Sequence, residues 1–280
     1  MAYPFQLVDV FFQTPLRGNP LAVVLDADGM DDAEMLAIAR WLNFSETTFL
    51  LKAMRAEADY RVRIFTPSHE LPFAGHPTLG SCHAWMEDGG QPRRGLTIVQ
   101  ECAAGLIEIE QGANMLAFAA PPLTRSGPVE GAEQMQVAAF LGLRRGDWLA
   151  MEWVANGPQW IGVLLPDAAA VRALQPARQS PHPITIGVIG AQASGSDSQF
   201  EVRAFFSDAQ GGVVEDPVTG SLNAGLAQWL TRSGIAHPPY VAAQGSCLQR
   251  DGRVFVRKGE DGQLWIGGRT RTLSSGRFHL

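Results

Sequence analysis

The stretch FAGHPTLG, at residues 73–80, has a partner in the other half of the chain, the stretch VEDPVTGS at residues 214–221. Each stretch connects an apolar, strand-like run to a helix-like run through a turn that contains glycine or proline. The chain therefore predicts the same strand–turn–helix corner twice, and this duplication indicates how the fold is organised.

The two corners lie inside longer segments that also match, residues 63–85 and residues 203–230. Both segments begin with an Arg-x-Phe lead-in, continue through a polar loop and an apolar turn, and reach a threonine, Thr78 or Thr219, with an offset of 141 residues. Coincidence is the alternative, since strand–turn–helix corners are common. The shared lead-ins favour an internal repeat, which predicts two copies of one α+β unit packed face to face.

The composition narrows the class of protein. The chain has 280 residues, of which 46% are hydrophobic, and a formal net charge of −6, which suits one or two globular domains. The 22 Lys and Arg residues are scattered, which argues against a nucleic-acid partner. Three cysteines without a CxxC motif favour a reducing cytoplasm over a disulfide framework. No signal peptide and no transmembrane run is recognised, so we expect a cytoplasmic protein without a membrane partner.

The predicted elements fall into two halves. Residues 31–44 have the apolar spacing of an amphipathic helix. Residues 113–130 are predicted as a loop because they contain Pro121-Pro122 and a Ser-Gly-Pro run. We therefore predict an N-terminal half over residues 1–118 and a C-terminal half over residues 119–280. The last strands of the chain are expected to cross back to the first half, and an active-site cleft is expected between the halves.

The second corner has the composition of a small-anion site. Asp216 can cap a helix, Pro217 suits the first helical position, and Thr219, Gly220 and Ser221 then fill the first turn. A helix start offers N–H groups without intrahelical acceptors and the positive end of the helix dipole, which together suit a carboxylate. An ordinary capped helix without a ligand is the alternative.

The first corner adds a titratable side chain to the same design. Gly75 precedes His76, whose imidazole ordinarily titrates near neutral pH and is therefore a candidate for proton transfer. Glu46 is a third candidate, since it stands at the entry to an apolar strand directly after a helix. The alternatives are a packed, hydrogen-bonded histidine and a solvated glutamate.

Four motifs occur in order along the chain and together resemble the phenazine-biosynthesis PhzF-like proteins. They are GNPLAVVLDADGM (18–30), LNFSETTFLL (42–51), YRVRIFTPSHELPFAGHPTLG (60–80) and EDPVTGS (215–221). The resemblance covers nearly the whole chain. It implies the diaminopimelate-epimerase-like α+β fold, in which two pseudo-symmetric halves each wrap a mostly antiparallel or mixed sheet around a central helix. It also implies a homodimer.

The resemblance also implies an active site. The family's acid/base carboxylate falls on Glu46, and further active-site residues fall on His76 and Asp216. A substrate-binding residue falls on Ser221, with Gly75 and Gly220 as points of close backbone approach. Thr219 is added to the predicted substrate-binding set because it belongs to the same helix start. No cofactor and no metal are implied, and the expected partner is a small carboxylate-bearing substrate.

The epimerase relatives place a cysteine at each corner, whereas this chain has Gly75 and Asp216 there. An epimerase removes a proton from one face of a carbon and returns it to the other, so it needs two opposed groups. A single carboxylate can still move a proton between two carbons on one face. We therefore predict a cofactor-independent isomerase that shifts a proton or double bond, with Glu46 as the acid/base.

Other functions stay open at this point. A non-catalytic carboxylate-binding protein or a racemase/epimerase would use the same fold. A Ser221–His76–Asp216 hydrolase lacks the Gly-x-Ser-x-Gly context of such enzymes. A metal site at His69, His76 and His83 lacks the usual spacing and an acidic ligand. The segment 244–254 departs from the family's pattern after Gln244-Gly245, which puts substrate contacts from that loop in doubt.

Overall fold

The structure is a computed structural model that describes residues 2–207 and 211–280. Its helices and strands follow one another in chain order. Up to Ala119 they are β1 (Ala2–Val10), β2 (Asn19–Val24), α1 (Asp32–Leu42), β3 (Thr47–Leu51), β4 (Tyr60–Phe65), β5 (Glu70–Leu71), α2 (Gly75–Glu87), β6 (Thr97–Cys102), β7 (Gly105–Gln111) and β8 (Leu116–Ala119). After it they are β9 (Arg125–Pro128), α3 (Gly131–Leu141), β10 (Ala150–Ala155), β11 (Ile161–Leu164), α4 (Ala168–Ala173), β12 (Thr185–Ala191), β13 (Phe200–Ser207), β14 (Val213–Asp216), α5 (Gly220–Arg232), β15 (Tyr240–Gln244), β16 (Gly252–Lys258), β17 (Leu264–Gly268) and β18 (Thr270–His279).

The chain divides into two units. The first comprises Met1–Ala119 with Gly267–Leu280, and the second comprises Ala120–Ile266. The first unit is thus assembled from both ends of the chain, and β18 returns to pair with β1 along its whole length. The loop predicted over residues 113–130 is wrong in part, because β8 pairs with β7 and β9 pairs with β10.

The first unit is a mixed sheet around a helix. β1 pairs antiparallel with β18 and β2, β2 pairs parallel with β3, and β3 pairs antiparallel with β4. β4 pairs antiparallel with β5 and parallel with β6, which continues antiparallel into β7. The helix α2 contacts β1, β2, β3, β4, β6, β8 and β18, so the sheet surrounds it.

The second unit repeats this order. β10 pairs antiparallel with β9 and β11, β11 pairs parallel with β12, and β12 pairs antiparallel with β13. β13 pairs antiparallel with β14 and parallel with β15, which continues antiparallel into β16. Most residues of α5 are buried. The predicted α+β fold with a duplicated sheet-and-helix unit is confirmed.

Matching arginine forks support the repeat at side-chain level. In the first unit Arg63 Nε and Nη2 donate to the two carboxylate oxygens of Glu70, at 2.8 and 2.6 Å. In the second, Arg203 makes the same paired bonds to Glu215, at 2.9 and 2.8 Å. Each fork ties the long strand of the unit to the short strand that leads into the central helix.

The residue offset between the two units increases between the arginine and the glutamate of each fork. The arginines lie 140 residues apart, but Glu70 and Glu215 lie 145 apart, so the loop of the second unit is five residues longer. Residues 208–210 of that loop lie outside the described residues. From Glu70 and Glu215 to the central helices, equivalent residues of the two units lie 145 positions apart.

The predicted match of Thr78 with Thr219 is therefore wrong. Both central helices begin at a glycine, Gly75 and Gly220, which are also 145 residues apart, so the residue in the place of Thr78 is Asn223. Likewise Gly75 and Asp216 do not occupy equivalent places, since Asp216 precedes α5 by four residues.

The predicted capping is also corrected. The residue before α5 is Thr219, not Asp216, and Pro217 is not helical. Asp216 stays in the sheet, where it pairs with Ala204, and its carboxylate accepts from the Thr219 hydroxyl. The first helix begins at Gly75, so His76 lies within its first turn and not ahead of it.

Helices of the described part of the chain are short. Across residues 2–207 and 211–280, none has the length and apolar character needed to cross a membrane.

Candidate active site

Glu46 is placed by the start of β3. It directly precedes Thr47, which pairs with Ala22 of the parallel strand β2, and its side chain is 16% exposed. The next residue but one, Thr48, accepts a buried hydrogen bond from the Ser81 hydroxyl of α2, at 2.8 Å. This bond fixes the position of the Glu46 backbone relative to α2.

His76 lies beside Glu46. It occupies the first turn of α2 and is 3% exposed, and its Nδ1 atom is 3.5 Å from Glu46 Oε2. The same Nδ1 is 3.3 Å from the side-chain amide nitrogen of Asn19, the first residue of β2. Whether Nδ1 donates or accepts in these two contacts depends on which ring nitrogen of the neutral imidazole carries the proton. The structure thus brings two of the predicted site residues together.

The protonation of His76 differs from the expectation. Burial lowers its pKa to about 3, and a backbone hydrogen bond at Pro20 opposes this only in part. At neutral pH the ring is uncharged, so its contact with Glu46 is not an ion pair. The hypothesis that His76 titrates near neutral pH is therefore wrong, because a fully buried imidazole loses the hydration that stabilises its charged form.

Asn19 is a residue of this site that the sequence did not reveal. It stands in the Gly18-Asn19-Pro20 segment, which reads as simple turn punctuation, yet it is fully buried. The loop before it is held by the carboxylate of Asp9, which accepts from the backbone N–H groups of Leu16 and Gly18 at 2.7 and 2.9 Å. The signal that could have found it is a polar residue between two turn formers at a strand start.

In the second unit, Asp216 faces the start of α5. Its Oδ2 accepts from the Thr219 hydroxyl at 2.5 Å, and both side chains are about nine-tenths buried. Gln244, the last residue of β15, reaches the same corner with its side-chain amide. The segment 244–254 therefore begins with a residue that holds the corner together.

Ser221 lies in the first turn of α5 and has an oriented hydroxyl. The indole N–H of Trp160 donates to Ser221 Oγ at 3.0 Å, and the side chain of Asn156 donates to the Ser221 carbonyl at 2.8 Å. Because Oγ accepts from the indole, its own hydrogen is directed elsewhere. Together with the N–H groups of the first helical turn, this hydroxyl makes a donor set that suits a carboxylate.

Trp160 and Asn156 were not found from the sequence. Trp160 is buried, and its N–H also serves the site. It lies 61 residues before Ser221, and no local pattern connects the two.

The cysteines and the remaining histidines supply no second site. Burial raises the pKa of both Cys82 and Cys102, so these thiols stay protonated, while Cys247 is exposed. The ring of His83 contacts Thr270 and Thr272. Within residues 2–207 and 211–280, no three His, Cys, Asp or Glu side chains are grouped so that they could hold a metal ion.

Comparison with known proteins gives a family over nearly the whole chain. The model of the PhzC–PhzF family, described as phenazine biosynthesis-like protein, matches residues 8–276. Antisense-enhancing sequence 1 of Schizosaccharomyces pombe is 35% identical over 297 residues, which cover 99% of each chain. Trans-2,3-dihydro-3-hydroxyanthranilate isomerase of Pseudomonas aeruginosa is 32% identical over 288 residues, again 99% of each chain.

A solved structure shares the fold. The phenazine biosynthesis protein of the PhzF family from Bacillus anthracis superimposes with a TM-score of 0.82 over 100% of both chains, at 24% identity. Several curated relatives are named isomerases. The chain therefore belongs to the phenazine biosynthesis-like protein family and is one of its PhzF-like isomerases.

Proposed function

We propose that this isomerase moves a proton, and with it a double bond, within a small carboxylate-bearing metabolite, and that Glu46 is the acid/base that carries the proton. One observation carries the proposal: the Glu46 carboxylate is fixed at a strand start, partly buried, with Oε2 3.5 Å from a neutral imidazole. With its proton on Nδ1, a neutral His76 can donate to the carboxylate and orient it without neutralising it, which leaves Glu46 able to act as a base.

The reaction needs only one such group. Glu46 takes a proton as a C–H bond breaks, and the released electron pair forms a new C=C bond. The former C=C pair then takes a proton from Glu46 at the far end of the allylic system, and the proton held on Glu46 can exchange with solvent in between. The substrate is neither oxidised nor reduced, and Glu46 ends as the carboxylate with which it began.

The second unit supplies the groups that we assign to the substrate carboxylate. The Ser221 hydroxyl and the first-turn N–H groups of α5, which follow Gly220, are donors, and Asp216 is assigned to orienting the reacting part of the substrate. In the first unit, Gly75 allows the substrate to approach the start of α2 closely. Two of the chain's thiols are buried and protonated, which favours this one-carboxylate mechanism over a two-thiol epimerase.

The first compound to test is the one for which the relatives are named, trans-2,3-dihydro-3-hydroxyanthranilate. Turnover is followed in deuterated water by proton NMR, together with a panel of other small unsaturated carboxylates. We expect Glu46→Gln to lower kcat by at least about 100-fold, since loss of a general acid/base has an effect of that size. The control is Glu108→Gln, on the exposed surface of β7, which should keep wild-type turnover.

Two results would overturn the proposal. Undiminished turnover and deuterium incorporation in Glu46→Gln would remove Glu46 from the reaction. Carboxylates that bind to the wild-type protein without exchange at any carbon would instead support a non-catalytic binding protein. We also propose a homodimer, on the family resemblance, which sedimentation velocity checks directly.

A further inference from the structure

We propose that Gln244 and Thr219 are positioning residues that direct a single hydroxyl proton onto Asp216. This inference rests on the proposed function, in which Asp216 touches the substrate, and it reassigns Thr219 from substrate binding. It concerns residues of the second unit alone, and all the contacts that carry it lie within that unit.

Gln244 is 1% exposed, and its side-chain amide is saturated with hydrogen bonds. The oxygen Oε1 accepts from the backbone N–H of Thr219 at 3.1 Å and from the side-chain amide of Asn223 at 2.9 Å. The nitrogen Nε2 donates to the backbone carbonyl of Asp216 at 3.1 Å and to Thr219 Oγ1 at 2.9 Å. Gln244 therefore holds both ends of the Asp216–Thr219 turn through hydrogen bonds.

The partners determine which way the amide faces. The Thr219 N–H can only donate and the Asp216 carbonyl can only accept, so oxygen must face the first and nitrogen the second. With Nε2 donating to it, Thr219 Oγ1 acts as an acceptor there. The single hydrogen of the hydroxyl is then left for Asp216 Oδ2, at 2.5 Å. A hydrogen bond to a carboxylate is among the stronger kinds in proteins, so it holds both the orientation and the charge of Asp216.

The first unit has a glutamine in a similar contact where there is no carboxylate. Gln100 Nε2 donates to Thr78 Oγ1 at 3.0 Å, and that hydroxyl donates to the carbonyl of Ala74 at 2.9 Å. The places equivalent to Asp216 and Thr219 are held there by Leu71 and Ala74. A glutamine that donates to a threonine hydroxyl thus occurs in both units, although the strand pairing places Gln100 level with Ala242 and not with Gln244. The carboxylate with its hydroxyl is present in the second unit only.

The neighbouring carboxylate of β14 is paired elsewhere. Glu215 precedes Asp216 in β14, but its carboxylate is paired with the guanidinium of Arg203, 2.8 Å away. The donor of the Thr219–Asp216 hydrogen bond is the Thr219 hydroxyl.

The test compares four variants with the wild-type protein. Thr219→Val keeps the shape but removes the hydroxyl, and Thr219→Ser restores it. Gln244→Glu keeps the acceptors but replaces the donor to Thr219 with an acceptor that competes for its proton. Gln100→Glu makes the same change in the first unit and is the matched control.

We expect Thr219→Val and Gln244→Glu to lower kcat by about 10-fold or more with a smaller change in KM, and Thr219→Ser to stay within about 3-fold of wild type. The acid limb of the kcat profile should move up by about 1 pH unit in Thr219→Val, because a charge-stabilising hydrogen bond is lost. Gln100→Glu can lower stability but should leave the pH profile unchanged.

A readout that needs no substrate separates this inference from the proposed function. In protein labelled with ¹³C at aspartate side chains, the Asp216 signal is assigned by its absence in Asp216→Asn, and its titration is followed by NMR. A midpoint about 1 pH unit higher in Thr219→Val than in wild type supports the positioning role even if no substrate is turned over. Equal midpoints, or a Thr219→Val enzyme with wild-type kcat and pH profile, would overturn it.

Discussion

Burial decides the chemistry of His76 more strongly than its neighbours do. The ring lies beside a carboxylate, which would ordinarily favour the imidazolium, yet the low-dielectric surroundings win and lower its pKa to about 3. The residue is therefore an orienting group at neutral pH. The same shift links His76 to the stability of the whole protein.

We expect His76 to make the protein less stable in mild acid. The unfolded chain binds a proton at His76 below about pH 6.5, whereas the folded chain does so only near pH 3. Stability should therefore fall as the pH drops through this window, by about 2 kcal/mol between pH 7 and pH 5 from this one group. Urea titrations at the two pH values measure it.

The matched comparison is His76→Gln, which should lose that part of the pH dependence whatever its stability at pH 7. His83, whose pKa is also lowered by burial, contributes equally in both proteins and cancels. An identical pH dependence in the variant would contradict the assignment.

Trp160 offers a second prediction for a single residue. Trp160→Phe keeps most of the apolar volume but removes the N–H that Ser221 Oγ accepts. The hydroxyl is then less well oriented toward a substrate carboxylate, and KM should rise by about 3- to 10-fold, the value of one neutral hydrogen bond. In a Ser221→Ala background the same change should have no further effect on KM. Independent, additive effects in this double-mutant cycle would refute the link.

The central helices of the two units are held close to their sheets by equivalent glycines. A Cβ on Gly80 of α2 would lie 2.4 Å from Leu21 Cδ2, and one on Gly225 of α5 would lie 2.3 Å from the Val154 carbonyl oxygen. The two glycines are 145 residues apart, as are the helix starts. The repeat therefore conserves not only the corners but also the distance between helix and sheet.

The atom that an added Cβ would meet differs between the two helices, and this difference predicts which alanine variant is the less stable. At Gly80 the neighbour is the end of a leucine side chain, which can move, whereas at Gly225 it is backbone. We expect both alanine variants to be destabilised, by about 1–3 kcal/mol, with Gly225→Ala the more severe. Chemical denaturation measures this, and Gly29→Ala, whose Cβ would meet Tyr3 Oη at 3.6 Å, is the control expected within about 0.5 kcal/mol of wild type.

At the scale of the whole molecule, the first unit depends on residues from the end of the chain. The pairing of β18 with β1 runs from Ala2↔His279 to Val10↔Thr270, with one irregularity between Leu7 and Val8. Without β18, the strand β1 would present an unpaired edge. The last residues of the chain are therefore structural for a unit that begins at its start.

We expect the thermal unfolding midpoint of a protein that ends at Arg269 to fall by at least about 10 °C, or the protein to aggregate, because the whole β1 edge is uncovered. Hydrogen exchange should then be fast at the β1 amides. Removal of His279 and Leu280 alone, which leaves the pairing from Tyr3 onward, is the control and should be close to wild type. Slow exchange at β1 in the long truncation would contradict this role of β18.

Much of the fold could be predicted from local pattern. Alternation and helical spacing depend on neighbouring residues, so they identified the strands around each corner, the amphipathic helix at α1 and the duplication itself. Local pattern did not reveal the change in residue offset between the two units. The five extra residues in the second unit's loop shifted the helix start, so Asp216 was misread as a cap and Thr78 was matched to the wrong residue.

The sequence by itself determined that the chain is duplicated, which family it resembles, and that Glu46, His76, Asp216 and Ser221 are its site candidates. Only the tertiary structure decided which partners surround each of them: Asn19 at His76, Trp160 at Ser221 and Gln244 at Thr219, all between 25 and 61 residues away along the chain. The physical reason is that hydrogen bonding and desolvation depend on distance in space. The direction of a hydroxyl proton or the charge of a buried imidazole therefore cannot be inferred from neighbours in the chain.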